Sequence, residues 1–117
     1  MVTAVILTHP PSQAEKNKVL SPHVQVQISG QESGANFFAM AVLLDPRSSA
    51  VAGGLLTEPT TGGVSQNDGS TMIFTFSNSS IIAAGTYKMR LDIYSVNDTD
   101  GAKLETQLEA GQISVTN

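Results

Sequence analysis

Alternation between apolar and polar side chains is the strongest pattern in this chain. It runs through His23–Ser29, through Thr86–Val96 and again through Gln112–Thr116. A period of two places successive side chains on opposite faces of the backbone, which is typical of a β-strand buried on one side. No window of about a dozen residues carries a capped apolar stripe at helical spacing. The sequence therefore predicts an all-β fold.

Four further segments fit strands. They are Met1–Leu7, Phe37–Leu44, Met72–Phe76 and Leu104–Leu108. Phe37–Leu44 is apolar throughout, which favours a strand covered on both faces and serving mainly the core, with a short buried helix as the alternative.

The segments between the strands are predicted to be turns and loops. Ser12–Leu20 has few apolar residues and is predicted to form a loop or a single turn. Ala110-Gly111 is predicted to be a turn between two strands. Ser48–Ser70 is rich in Gly, Ser and Thr, so we expect a mobile loop with one short strand around Gly54–Thr57.

Short strands separated by turns, without crossover helices, predict an antiparallel two-sheet sandwich. We expect residues 1–117 to form a single domain with an immunoglobulin-like Greek key, a small β-barrel being the alternative. Tyr87 follows Gly85 at the start of a strand, where a tyrosine corner would be found. An ordinary core tyrosine is the favoured interpretation.

Composition excludes several classes of protein. The chain has no Cys, which excludes a disulfide scaffold, a thiol nucleophile and cysteine-based metal sites. Its formal net charge of −4 counts against a dedicated nucleic-acid binder. No apolar run is long enough for a transmembrane helix, so no membrane partner is expected.

Location is less constrained by the sequence. The apolar Met1–Leu7 is too short for a secretory signal, so an intracellular location, in cytoplasm or nucleus, is favoured. A secreted chain whose leader had been removed would look the same. Two glycosylation tripeptides occur, Asn78-Ser79-Ser80 and Asn97-Asp98-Thr99.

Residues with catalytic or ligand chemistry are few. His9 and His23 are the only histidines, and we interpret both as surface residues. No nucleophile, base and orienting group form a recognisable set, so the chain is not expected to be an enzyme or to need a cofactor or metal. The segment Asp98–Gly101 resembles a fragment of a calcium loop, but a polar turn is the favoured interpretation.

Two pairs of cations are the candidate nucleic-acid contacts. They are Lys16 and Lys18 in one loop, and Lys88 and Arg90 on the outward face of one strand. Either pair could contact phosphate. Glu15 flanks the first pair and Asp92 extends the second row, so solvated surface is the favoured interpretation.

The order of the segments resembles the fungal velvet domain. Leu7–Pro11, followed by a loop with two lysines and by Ser21–Ile28, is similar to the opening strand, basic loop and second strand of that family. Asn36–Leu44 and Met72–Phe76 are similar to its phenylalanine-containing strands. Ala84–Tyr94 contains a G-x-Y-[KR]-x-R unit like the one in the family.

Velvet proteins are transcriptional regulators with an immunoglobulin-like, Rel-like sandwich, and they bind DNA and pair with one another. The resemblance places Lys16 and Lys18 on the basic loop of the family, and Lys88 and Arg90 on its G-x-Y-[KR]-x-R strand. The family's loop is much more basic, and phosphate neutralisation dominates DNA affinity.

We therefore expect a non-enzymatic, velvet-like protein-interaction and regulatory domain with weak or no DNA binding. An exposed sheet face or edge is the expected site of protein pairing or self-association. The alternative is a secreted or surface sandwich module that binds a carbohydrate or protein ligand.

Overall fold

The computed structural model describes residues 2–30, 36–53, 55–65, 71–97 and 101–117. Within these ranges strands are the only extended regular secondary structure, and no helix is present that could cross a membrane. The strands in chain order are β1 (Thr3–Thr8), β2 (Gln13–Glu15), β3 (Val24–Ser29), β4 (Asn36–Leu44), β5 (Thr60–Gly62), β6 (Val64–Ser65), β7 (Thr71–Phe76), β8 (Gly85–Asn97) and β9 (Gly101–Thr116).

The strands form two sheets that pack face to face. One sheet has the order β1-β3-β7-β6 and the other has the order β2-β9-β8-β4-β5. All pairings are antiparallel except the short one between β2 and β9. This order is the ABED-against-CFG arrangement of immunoglobulin-like sandwiches with added edge strands. The predicted all-β sandwich is confirmed.

The core lies between the sheets and is built by the alternation seen in the sequence. β3 and β7 each bury every second residue, and the odd-numbered residues of β8 from Tyr87 to Ile93 face them from the other sheet. The most completely buried side chains include Val26, Ile28, Phe74, Leu91, Ile93 and Ile113. At roughly 1.5–3 kcal/mol for each large apolar side chain, this burial is the main stabilising term.

The predicted turn at Ala110-Gly111 is wrong. The structure joins the two expected C-terminal strands into one, β9. Met89 pairs with Gly111 whereas Arg90 pairs with Glu109, so Ala110 is an extra residue in a β-bulge. Gly111 has a φ of 113°, which a glycine adopts without strain. A bulge therefore has the same small-residue signature as a turn.

Two loop predictions also need correction. Residues 12–20, expected to lack a strand, contain β2, whose parallel pairing with β9 depends on backbone bonds rather than on a side-chain pattern. In the described part of Ser48–Ser70 the strands are β5 and β6, and the expected strand around Gly54–Thr57 is wrong for its described residues, 55–57. Among the described residues of that short segment, Leu56 forms only an isolated bridge to Ile81. Most of the calcium-loop fragment, Asp98–Gly101, lies outside the described residues.

Tyr87 forms a tyrosine corner. It is buried near the start of β8, and its hydroxyl donates to the carbonyl oxygens of Ala83 at 3.1 Å and Ala84 at 3.3 Å. These bonds hold the crossing segment between the sheets against the strand it enters. The interpretation of Tyr87 as an ordinary core tyrosine is therefore wrong.

Candidate protein-interaction face

The two cation pairs lie on different elements. Lys16 and Lys18 follow β2, and the backbone N–H of Lys16 donates to the carbonyl of Thr116 at 2.8 Å. The Lys18 ammonium lies 3.9 Å from a carboxylate oxygen of Glu15, with both side chains well exposed. Lys88 lies on β8, and its ammonium donates to the Ser49 hydroxyl at 3.1 Å.

Arg90 is held by an internal carboxylate. Its Nε donates to Oδ1 of Asp92 at 2.8 Å, and its second guanidinium nitrogen donates to Oδ2 at 3.0 Å. Asp92 is only 2% exposed, whereas Arg90 is 28% exposed. Bonding to Asp92 also raises the pKa of Arg90. One of the two guanidinium edges that could bind a phosphate in two-point fashion is thus already occupied.

A shallow groove of about 390 Å³ lies beside the first pair. Its walls are formed by Pro11 and by residues 13–15 and 18–21, with Thr116 at the end of β9. Lys18 and Glu15 both line it, so the groove carries balanced charge rather than a cationic surface.

The larger feature is the outward side of the five-stranded sheet, which we call the outer face. It contains the even-numbered residues of β4 and β8 together with their partners on β9. Its larger side chains belong to Phe38, Met40, Val42, Leu44, Lys88, Arg90, Asp92, Tyr94, Val96, Leu104, Gln107, Glu109 and Gln112. The face is apolar along β4 and at one end of β8 and β9, and it is charged at its centre.

The apolar end of the outer face is a row across three strands. Phe38 pairs with Tyr94, which pairs with Leu104. The two aromatic rings stack, with centroids 4.9 Å apart and planes 13° from parallel. Leu104 is 43% exposed, and Val96 beside it is 39% exposed. The sheet therefore positions these side chains but covers the aromatic rings only partly and leaves Leu104 and Val96 exposed.

Sequence reasoning missed this face because it assigned Phe37–Leu44 mainly to the core. The structure gives alternate residues of that run to the core, namely Ala39, Ala41 and Leu43, with Phe37 packed against it. Phe38 and Met40 point the other way and are only half-buried. The signal was present in the sequence, since an apolar strand buried on only one face must present its remaining apolar side chains on the other.

The histidines lie apart from one another. The Nδ1 of His9 donates to the carbonyl of the bulge residue Ala110 at 3.2 Å, and His23 lies exposed just before β3. Within the described ranges, no three His, Asp or Glu side chains converge as a metal site would require.

No protein-family model matches the chain, and no curated protein matches it. The structure defines the class to which the chain belongs, an immunoglobulin-like β-sandwich, and the velvet resemblance stays a prediction.

Proposed function

We propose that the chain is a non-enzymatic, velvet-like protein-interaction domain that acts in transcriptional regulation inside the cell. Its outer face binds the sheet face of another velvet-type sandwich domain. The observation that carries this proposal is the row of Phe38, Tyr94 and Leu104 on the outer face, of which the two aromatic rings are half-buried and Leu104 is exposed.

The dimensions of the outer face suit such a partner. Taken at their own lengths, at about 3.3 Å per residue and about 4.8 Å spacing, the strands of this sheet give roughly 700 Å² of surface. Stable protein interfaces bury about 800 Å² on each partner. A second flat sheet would therefore cover this surface in the manner of sheet-on-sheet packing.

Charge on the outer face also favours a protein partner. It has two cations, Lys88 and Arg90, and two anions, Asp92 and Glu109, so the chain's net charge of −4 resides elsewhere. The central Arg90 and Asp92 already bond each other. At that pair docking would thus leave no newly unpaired charge, which is the costly element of a buried interface, whereas Lys88 and Glu109 would require partners on the docking sheet.

The proposal includes weak or no DNA binding. Arg90 is occupied by Asp92, and Lys18 lies beside Glu15. We expect fluorescence anisotropy with duplex DNA at physiological salt to give a Kd weaker than about 1 μM, in the range of non-specific binding. Tight binding that both Lys16→Ala and Lys18→Ala weaken would contradict this part of the proposal.

A purified fungal velvet domain is the probe that tests the docking proposal, and sedimentation velocity measures whether it forms a complex with this chain. The wild-type chain is expected to form a complex, and Leu104→Glu is expected to weaken it by at least about tenfold, as for an interface anchor. Ile82→Glu is the matched control, because Ile82 is 44% exposed outside the outer face. Absence of a complex, or equal losses from both variants, would refute the proposal.

One observation favours the alternative, a secreted binding module. Asn78 of the first glycosylation tripeptide is exposed in the bend between β7 and β8, so a glycan there would project into solvent. Expression through a eukaryotic secretory pathway tests this, since a mass increase that Asn78→Gln removes would favour the secreted module. An unmodified chain would favour the intracellular domain.

A further inference from the structure

β1 is rich in apolar side chains, but the fold buries them only partly. Its central residues are Ala4, Val5, Ile6 and Leu7, yet none of its residues is fully buried. By contrast, β3 and β7 of the same sheet bury every second side chain. Val5 is 52% exposed on the outward side of the sheet, and Leu7 is 46% exposed. Ala4 and Ile6 face the core but stay only partly covered.

β1 is also an unprotected edge. It pairs with β3 on one side and ends the strand order of its sheet, and among the described residues no strand other than β3 pairs with it. Natural edges are usually blocked by lysine, by proline or by an inward-pointing charge. The stretch Thr3–Thr8 contains none of these, and prolines appear only after it, at Pro10 and Pro11.

We propose that β1 pairs antiparallel with β1 of a second copy of this chain, joining the two four-stranded sheets into one continuous sheet. The occupant is a second copy because the strand complements itself. It has no charge that identical strands would bring together, and both copies present the same half-covered apolar side chains.

The alternation of β1 restricts the register, and an axis at Ala4 would pair only Thr3–Val5 within the strand. Directly opposite residues must point to the same face, so an antiparallel pair of identical strands has its two-fold axis at a residue. An axis at Val5 places the two Val5 side chains opposite each other and pairs the small Ala4 with the large Ile6. An axis at Ile6 would oppose Ala4 to Thr8. These two residues face opposite sides, because the bulge at Leu7 turns Thr8 outward.

The pairing would have a functional consequence. β1 belongs to the four-stranded sheet and the outer face belongs to the other sheet. A dimer formed through β1 would therefore keep two outer faces free, and a partner with two docking sites would bind it with avidity. The inference is independent of what the outer face binds.

Single-cysteine variants test the register, because the natural chain has no Cys. With the axis at Val5, the two Cα atoms of residue 5 lie about 4.5–5.5 Å apart, within the range of a disulfide. Val5→Cys is therefore expected to form a covalent dimer on mild oxidation. Thr3→Cys is the matched control on the same exposed face, and its two Cα atoms would lie roughly 14 Å apart along the strands.

We expect at least about tenfold more cross-linked dimer from Val5→Cys than from Thr3→Cys, as the difference in Cα separation requires. Equal yields would indicate random collision and would overturn the proposal. Failure of Val5→Cys to cross-link would also overturn it.

Sedimentation equilibrium of the chain without cysteine gives the second measurement. The pairing buries little surface, so the wild-type mass is expected to rise toward that of a dimer only at high concentration, about 0.1–1 mM. Val5→Lys is expected to stay monomeric and folded, whereas Val64→Lys, at an exposed position on the far edge of the same sheet, is expected to dimerise like the wild type. A dimer that persists in Val5→Lys would show that self-association uses another surface. A wild-type chain that stays monomeric at every concentration would exclude the β1 dimer. Neither result would bear on velvet-domain binding by the outer face.

Discussion

The ion pair at the centre of the outer face gives an asymmetric prediction. Arg90→Met leaves the Asp92 carboxylate, 2% exposed, without its two guanidinium bonds. Removing one partner of a buried pair typically costs about 3–5 kcal/mol. Asp92→Leu leaves Arg90, which is 28% exposed and can turn toward water. Its expected cost is about 2 kcal/mol, the contribution of a charge-assisted bond.

The double variant, Arg90→Met with Asp92→Leu, completes the cycle. Replacing a buried ion pair by apolar side chains of similar volume is often close to neutral. We therefore expect its free energy of unfolding to lie within about 1 kcal/mol of the wild type, far from the sum of the single changes.

Urea unfolding at neutral pH, with the slope m checked for constancy, measures all four proteins. The reasoning would be refuted if Asp92→Leu destabilised the domain more than Arg90→Met does. Additive single costs in the double variant would refute it as well, since the two side chains would then not be coupled.

Three further predictions concern the sandwich itself. Tyr87→Phe removes the two hydroxyl bonds of the tyrosine corner, and urea unfolding should show a loss of about 1 kcal/mol. Gly63→Ala adds a methyl group where core side chains of β7 already lie, and should cost about 1–3 kcal/mol, whereas Gly62→Ala, with open space around it, should be nearly neutral in the same assay. The backbone N–H of Ser48 lowers the pKa of the Asp45 carboxyl from 3.8. The stability that this bond provides is present above about pH 4 and is lost as the pH falls through the lowered pKa. In an acid titration, the free energy of unfolding of Asp45→Asn should therefore depend less on pH in this range than that of the wild type.

The alternating strands could be predicted from the sequence. β3, β7 and β8 bury every second side chain, and burial on one face imposes that period on their sequences. β5 and β6 could not be found in this way, because the short segments Thr60–Gly62 and Val64–Ser65 have no such period and pair through the backbone.

The functional surface was only partly predictable. The sequence Lys88-x-Arg90-x-Asp92 already places opposite charges on one face of a strand. It does not reveal that Asp92 is buried there and that Arg90 folds over it, since that depends on β4 and β9 lying on either side. The row of Phe38, Tyr94 and Leu104 could not be predicted from the sequence, because it depends on which strands are neighbours in the sheet.

The central claim is that the outer face binds a sheet of another domain, and methionine-methyl NMR tests it most directly. Met40 lies half-buried on the outer face, whereas Met89 lies in the core and is 1% exposed. On titration with the fungal velvet domain, the Met40 methyl resonance is expected to shift and saturate while that of Met89 stays unchanged. A complex that forms by sedimentation without moving the Met40 resonance would contradict the account.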